Sequence, residues 1–191
     1  MGHSTGGSIA TVYLERHAED KEFRKAILSS PMFQMRIPPG GYELVSLASF
    51  TGLGTQYAAG NGPARWLAPF DGENKLTHSR ARFEIADKVA SRLASAGHRR
   101  IEGATNQWVR EAYEMTSEAR KNADKITTPI VILQGGGDEV VDVRGHETVC
   151  DRVAPNCTLV RFPGAYHELP AEEDRVRNAF MGEVKKVLAD R

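Results

Sequence analysis

The chain has 191 residues, enough for one substantial core, with 25 basic and 25 acidic side chains and a mean hydropathy of −0.42. That balance offers no basic field for nucleic acid and no acidic tail, and no apolar run reaches the roughly 18 residues a membrane span needs. No basic-then-apolar leader opens the chain, so the expectation is a cytoplasmic protein whose membrane contact, if any, is peripheral on the inner face.

Residues 1–7 hold a Gly-x-Ser-x-Gly pattern, Gly2-His3-Ser4-Thr5-Gly6. Small residues on both sides permit a sharp strand-to-helix turn that pushes the Ser4 hydroxyl outward. Ile9, Val12, Tyr13 and Arg16 recur at helical spacing and predict a helix over 7–17. Ala26 to Ser30 is a short apolar run stopped by Pro31, the mark of a buried strand. The Pro- and Gly-rich stretch 37–41 breaks the pattern. A helix is expected over Tyr42 to Phe50, with Leu44, Leu47 and Ala48 on one face, followed by a Gly- and Asn-rich loop over Gly52 to Pro63. Thr77 or Ser79 is placed to cap a helix reaching about Ala94, and Trp108, Ala112, Met115 and Ala119 stripe another over Asn106 to Asn122. Residues 33–124 therefore read as helical and strand-free.

Strands return at Pro129 to Leu133 and at Thr158 to Phe162, separated by a helix over Arg144 to Val153. The last helix carries Val176, Phe180, Val184, Val187 and Leu188 on its apolar face. Acids at 172–174 stand at its start and Lys185, Lys186 and Arg191 near its end, as the helix dipole favours. Apolar strands alternating with helices mean an α/β fold with a parallel sheet. The expected organisation is a core segment 1–32, an inserted helical cap 33–124 and a second core segment 125–191. Cys150 and Cys157, the two cysteines, are expected as reduced thiols.

A serine hydroxyl becomes a nucleophile when a histidine takes its proton and a carboxylate orients that histidine. Both partners follow strands. After the 129–133 strand come Gln134, three glycines and Asp138; after the 158–162 strand come Pro163, Gly164, Ala165, Tyr166 and His167. Tight glycine turns at two carboxyl ends place Asp138 and His167 on the same sheet edge as Ser4. Taken singly each has a plainer reading, Asp138 as a turn residue or helix cap and His167 as a satisfied loop histidine. In this order they point to a Ser4–His167–Asp138 triad. Glu139 and Asp142 are the rival acids, with Asp142 better placed to cap the following helix. His3 flanks the nucleophile, His78 lies within the cap, and His17, His98 and His146 are expected at the surface. No His/Cys/Asp set has metal-ligand spacing, so neither metal nor cofactor is expected.

The elbow, the segment Leu76-Thr-His-Ser-Arg-Ala-Arg-Phe83, the run Gly103-Ala-Thr-Asn-Gln-Trp-Val-Arg-Glu-Ala112, the 137–142 loop and Gly164 to Glu168 resemble the bacterial lysophospholipase L2 branch of the α/β-hydrolases. Monoacylglycerol lipases are close relatives of that branch. The resemblance implies the C-terminal portion of an α/β-hydrolase fold with an inserted helical cap. It implies a serine esterase acting on lysophospholipids or monoacylglycerols and meeting lipid aggregates, with His167 as general base, Asp138 orienting it and the Thr5 backbone amide as one oxyanion donor. Trp66, Phe83, Trp108 and Met115 become candidates to line the acyl site, against the plainer alternative of cap packing.

Such proteins carry several strands ahead of the elbow, and a loop there gives the second oxyanion amide. Without them the 26–30 strand is expected to be an open apolar edge through which the chain self-associates, with Ser4 on a frayed end. A fragment of a longer gene, an internal Met start and pairing with a second chain all fit. Two rival functions stand beside the lipase reading: a carboxylesterase of other specificity, and an inactive fragment acting through association.

Overall fold

The computed structural model describes residues 1–63, 70–98 and 102–190. In chain order its elements are β1 (Gly2–His3), α1 (Thr5–Arg16), β2 (Ala26–Ser29), α2 (Gly41–Ala48), a π-type turn (Ser49–Leu53), α3 (Phe70–Glu73), α4 (Arg80–Ser95), α5 (Asn106–Lys121), β3 (Ile130–Gly135), α6 (Arg144–Val153), β4 (Cys157–Phe162) and α7 (Asp174–Ala189). Short 3-10 turns cover Ala123–Lys125 and Leu169–Ala171.

The four strands make one parallel sheet in the order β1-β2-β3-β4. Gly2 pairs with Leu28, Leu28 with Ile132 and Ile132 with Leu159, so the carboxyl ends of all four strands share one edge. That edge receives Ser4, Ser30, Asp138 and His167. β3 runs two residues further than expected, because Gln134 and Gly135 stay in the ladder opposite Arg161 and Phe162.

Strand alternation builds two cores. Leu28, Ile130 and Ile132 face one side with Leu14 of α1, Ala119 of α5, and Val149 and Val153 of α6. Ile27, Leu133 and Phe162 face the other, under Phe180 and Val184 of α7. Helices on both faces are what a parallel sheet requires, since neither face can be left to water. Each fully buried large apolar side chain contributes about 1.5–3 kcal/mol. Leu188 departs from the expected apolar face of α7 and is exposed.

The chain divides into two units. Unit 1 comprises residues 1–36, 75–78 and 114–191; unit 2 comprises 37–74 and 79–113. The chain thus leaves the sheet unit after Arg36, returns to it for four residues, and leaves again. Unit 2 holds α2, the π-type turn, α3, α4 and the first half of α5, together with an antiparallel bridge between Tyr57 and Thr105, so this stretch is not wholly without β pairing. Ser79 caps α4, accepting the Arg82 N–H at 3.5 Å, whereas the Thr77 hydroxyl donates to the Ala171 carbonyl.

Cys150 and Cys157 form a disulfide, contrary to the expected free thiols. The turn after α6 folds back directly into β4 and brings their Cα atoms to 5.2 Å, within bridging range. The 26–30 strand, expected as an open edge, is covered on that side; the sheet edges are β4 and, beyond β2, β1. Beside β1, Gly2, Gly6, Ile9, Tyr13, Phe23 and Ile27 line part of an apolar groove of about 360 Å³. Among the described residues no helix is long and apolar enough to cross a membrane.

Candidate active site

Ser4 stands between β1 and α1 with φ +50°, a conformation that costs a non-glycine residue about 1–3 kcal/mol. Several backbone bonds hold it there. Its N–H donates to the Ser29 carbonyl, and its own carbonyl accepts from Gly7 and Met32 at 2.9 and 3.0 Å. The elbow is crowded at Gly2, where a Cβ would come within 2.7 Å of the Gly6 carbonyl, and at Gly7, where one would meet Pro31 at the same distance. Gly6, the second glycine of the sequence pattern, has open space around it.

Asp138 and His167 arrive from β3 and β4. Gly135 lets the two loops touch, since a Cβ on it would lie 2.4 Å from the Tyr166 carbonyl oxygen. His167 Nδ1 lies 2.7 Å from Asp138 Oδ2, and His167 Nε2 lies 3.0 Å from Ser4 Oγ. Both His167 and Asp138 are buried. The second Asp138 oxygen, Oδ1, accepts the N–H groups of Val140 and Val141 at 2.8 and 3.1 Å. Burial pushes the Asp138 pKa up, but the bond and charge of His167 and those two amides outweigh it and hold the group below its ordinary range. A carboxylate so fixed orients one imidazole nitrogen and leaves the other to face the serine. The Ser30 hydroxyl, also at a positive φ, donates to the His167 carbonyl at 2.8 Å and steadies the loop from beneath.

The rival acids are engaged elsewhere. Asp142 is bound by Arg144, through side chain and backbone, and by Gln34; the Arg144 bond above all lowers its pKa to about 2. Glu139 is exposed and paired with Lys75 at 2.8 Å.

The His3 ring lies 5.0 Å from that of His167, tilted to it by 57°, and its Nε2 meets Glu168 Oε1 at 3.1 Å. Burial lowers the His3 pKa, yet the bond to Glu168 and its charge win and raise it. Among the described residues, His3, His167 and Glu168 are the one set whose ligand atoms gather, all within 4.8 Å of one another. Sequence spacing could not announce this set, because the fold alone joins position 3 to 167 and 168. Each member already has a protein partner, His3 and Glu168 in each other and His167 in Ser4 and Asp138.

Other expectations meet different outcomes. His146, expected at the surface, is fully buried, its Nε2 donating to the Pro31 carbonyl at 2.8 Å and its ring edge-on to Phe33. The amphipathic pattern of α6 hides it, because its face points inward beside Val149. His78 belongs to unit 1 and bonds Glu172, a fully buried carboxylate. Glu172 was hidden in the 172–174 acid run; α7 itself starts at Asp174, and Glu172 turns inward ahead of it. Thr5 opens α1, where its backbone N–H belongs to the first-turn donors that a helix leaves without an internal acceptor. Of the candidate lining residues, Phe83 packs edge-on against Phe70 within unit 2, Trp108 is exposed there, and Met115 is half-buried in unit 1. Trp66 lies outside the described residues.

Comparison with known proteins bears on family and fold. Residues 1–174 match the family model Hydrolase_4, described as serine aminopeptidase, S33. The chain is 30% identical over 186 residues to lysophospholipase L2 of Escherichia coli K12, covering 93% of this chain and 53% of that protein. It is 28% identical to the probable lysophospholipase L2 of Haemophilus influenzae, covering 98% and 58%. The chain therefore spans little more than half the length of these relatives. Among solved structures, a monoacylglycerol lipase of Paleococcus ferrophilus superposes with a TM-score of 0.69 at 20% identity, covering 98% of this chain and 66% of that one. A soluble variant of monoglyceride lipase from Saccharomyces cerevisiae gives 0.68 at 19%, covering 97% and 62%. Four parallel strands, their flanking helices and the family match over most of the chain lead to one conclusion: this chain belongs to the Hydrolase_4 (S33) family of α/β-hydrolases.

Proposed function

We propose that the chain carries the chemistry of a serine ester hydrolase acting on lysophospholipids or monoacylglycerols. The observation that carries this reading is the line Ser4 Oγ, His167 Nε2 at 3.0 Å, and His167 Nδ1 to Asp138 at 2.7 Å. His167 takes the Ser4 proton as Oγ attacks the ester carbonyl; Asp138 holds the imidazole and stabilises the imidazolium. The oxyanion is received by the Thr5 N–H at the positive end of α1. Collapse of the tetrahedral intermediate breaks the ester C–O bond, and His167 gives its proton to the leaving alcohol. Water then attacks the acyl-Ser4, with His167 again as base, and frees the fatty acid.

Substrate choice falls to residues 33–124, in which Trp66, Phe83, Trp108 and Met115 are the proposed acyl contacts. Peripheral contact with lipid aggregates and self-association along the β1 edge belong to the same proposal; liposome flotation and sedimentation velocity test them, and absence of both would remove them. Cytoplasmic residence also remains a proposal, and the Cys150–Cys157 bridge weighs against a reducing compartment.

The test is hydrolysis of lysophosphatidylcholine, a monoacylglycerol and a short p-nitrophenyl ester by the purified chain, beside Ser4→Ala. Turnover of the lipids that vanishes with Ser4→Ala supports the proposal. Turnover of the short ester alone would favour a carboxylesterase of other specificity. A folded chain inert on all three would favour the inactive, associating reading, to which the open groove beside β1 lends support.

A further inference from the structure

Five residues after His167, Glu172 is a fully buried carboxylate. A buried charge persists only when it is closely paired and hydrogen-bonded. Its Oε1 accepts the Tyr166 N–H at 2.7 Å and the His78 Nδ1–H at 2.8 Å; its Oε2 accepts the N–H groups of His78 and Glu173, each at 3.1 Å. The His78 ring also stacks on Tyr166, with centroids 3.8 Å apart. Beside it the Thr77 hydroxyl donates to the Ala171 carbonyl, and the Leu76 carbonyl accepts the Glu168 N–H at 2.8 Å.

These bonds join two segments of unit 1 that the sequence places far apart. One is the 166–172 loop, which presents His167. The other is 75–78, the four residues on which the chain returns from unit 2 and from which it departs again. Tyr166 immediately precedes His167, so fixing its amide fixes the backbone from which the imidazole projects. Loop 166–172 holds its ring between Ser4 and Asp138, and a displacement of about 1 Å there is enough to cost roughly a hundredfold in rate.

We propose that Glu172 is a positioning residue for His167, and that its bonds to His78 form a clasp fastening the crossing 75–78 to the loop that carries the base. Glu172 touches no reacting atom. It acts through the Tyr166 amide, and His78 acts through Glu172. The kinetic consequence rests on the ester-hydrolase reading above; the structural consequence does not.

The experiment compares the full chain with Glu172→Ala, Glu172→Gln and His78→Ala by two measurements. The first is kcat and KM on a p-nitrophenyl ester. The second is the low-field proton resonance of the His167 Nδ1–H to Asp138 bond, with Asp138→Asn as the assignment control. Glu172→Ala is expected to lower kcat about ten- to a hundredfold with KM within about twofold, and to shift or broaden that resonance. Glu172→Gln keeps one acceptor oxygen for the Tyr166 N–H and is expected to recover most of the loss. His78→Ala is expected to fall between them. If Glu172→Ala does not fold, the Gln and His78 variants carry the comparison. An unchanged resonance and kcat in folded variants would overturn the proposal and leave Glu172 with a stabilising role alone. If the unaltered chain turns over no ester, the function proposed above fails, while the resonance still decides the clasp.

Discussion

The two units of this chain solve different problems. In unit 1 the apolar side chains of β2, β3, α6 and α7 are buried against one another, and Ser4, Asp138 and His167 hang from that frame. In unit 2 the helices leave large apolar side chains in the open: Leu44, Leu47 and Phe50 around α2, and Ile85, Val89 and Leu93 along α4. The last three recur every four residues, so they form one stripe on one face. Unit 1 leaves Ile9, Phe23 and Leu188 exposed as well, so what sets it apart is the pair of buried clusters against the sheet that holds the triad residues. Four expectations break or sharpen the contrast.

The largest effect lies in the site. Asp138→Asn removes the oriented charge behind His167 and is expected to lower kcat about 10⁴-fold, whereas Asp142→Asn, whose carboxylate serves Arg144 and Gln34, leaves kcat within about threefold. Steady-state kinetics of the two variants on one ester decides which acid serves. Equal losses would erase the distinction.

Next come the cores. Phe180→Ala empties a buried position under the sheet and is expected to cost about 3–5 kcal/mol by chemical denaturation. Val89→Ala on the exposed stripe is expected to stay within about 0.5 kcal/mol. Comparable losses would mean that unit 2 packs as tightly as unit 1.

Glu15 is the flaw in unit 1. It is buried, neither carboxylate oxygen has a hydrogen-bond partner among the described residues, and desolvation chiefly, with the nearby Glu118, pushes its pKa up to about 7. Between about 4.5 and about 7 the folded chain holds a proton that the unfolded chain has released, so stability falls as pH rises through that window and then levels off. Glu15→Gln is expected to stabilise by about 1–3 kcal/mol at pH 8 and by little at pH 4. Thermal melts at the two pH values measure it; a gain equal at both would assign the effect to something other than ionisation.

The smallest effect concerns substrate choice. Trp108→Ala is expected to change KM for long-chain monoacylglycerols by about two- to fivefold while leaving a short p-nitrophenyl ester untouched. Equal change for both substrates would remove Trp108 from the acyl contacts.

Legibility in the sequence divided local signals from contacts made across the chain. The strands at 26–30 and 129–133 were readable because burial on both faces demands continuous apolar runs; the edge strand at 158–162 kept Leu159, Val160 and Phe162 despite exposed Thr158 and Arg161, and glycines after the last two strands marked the loops of Asp138 and His167. The elbow was readable because its crowding needs glycine, although the structure moves part of that need from Gly6 to Gly7. What stayed hidden depends on contacts across the chain. Glu172 looks like any acid before a helix until His78, 94 residues away, meets it. His146 shares its helix with polar neighbours and reveals its burial only when Pro31 arrives above it. The Cys150–Cys157 bridge needed the fold-back between α6 and β4, which spacing alone does not declare. The return of 75–78 to the sheet unit has no local signature, because it is a matter of chain path.

The central claim is that His167, held by Asp138, activates Ser4. Intact-mass analysis of the folded chain after exposure to a fluorophosphonate tests it most directly, since labelling needs an activated serine and no particular lipid. The expected result is one adduct, mapped to Ser4, absent in Ser4→Ala and strongly slowed in His167→Ala and Asp138→Asn. A folded chain that takes up no label, or takes it equally well without His167, would contradict the claim.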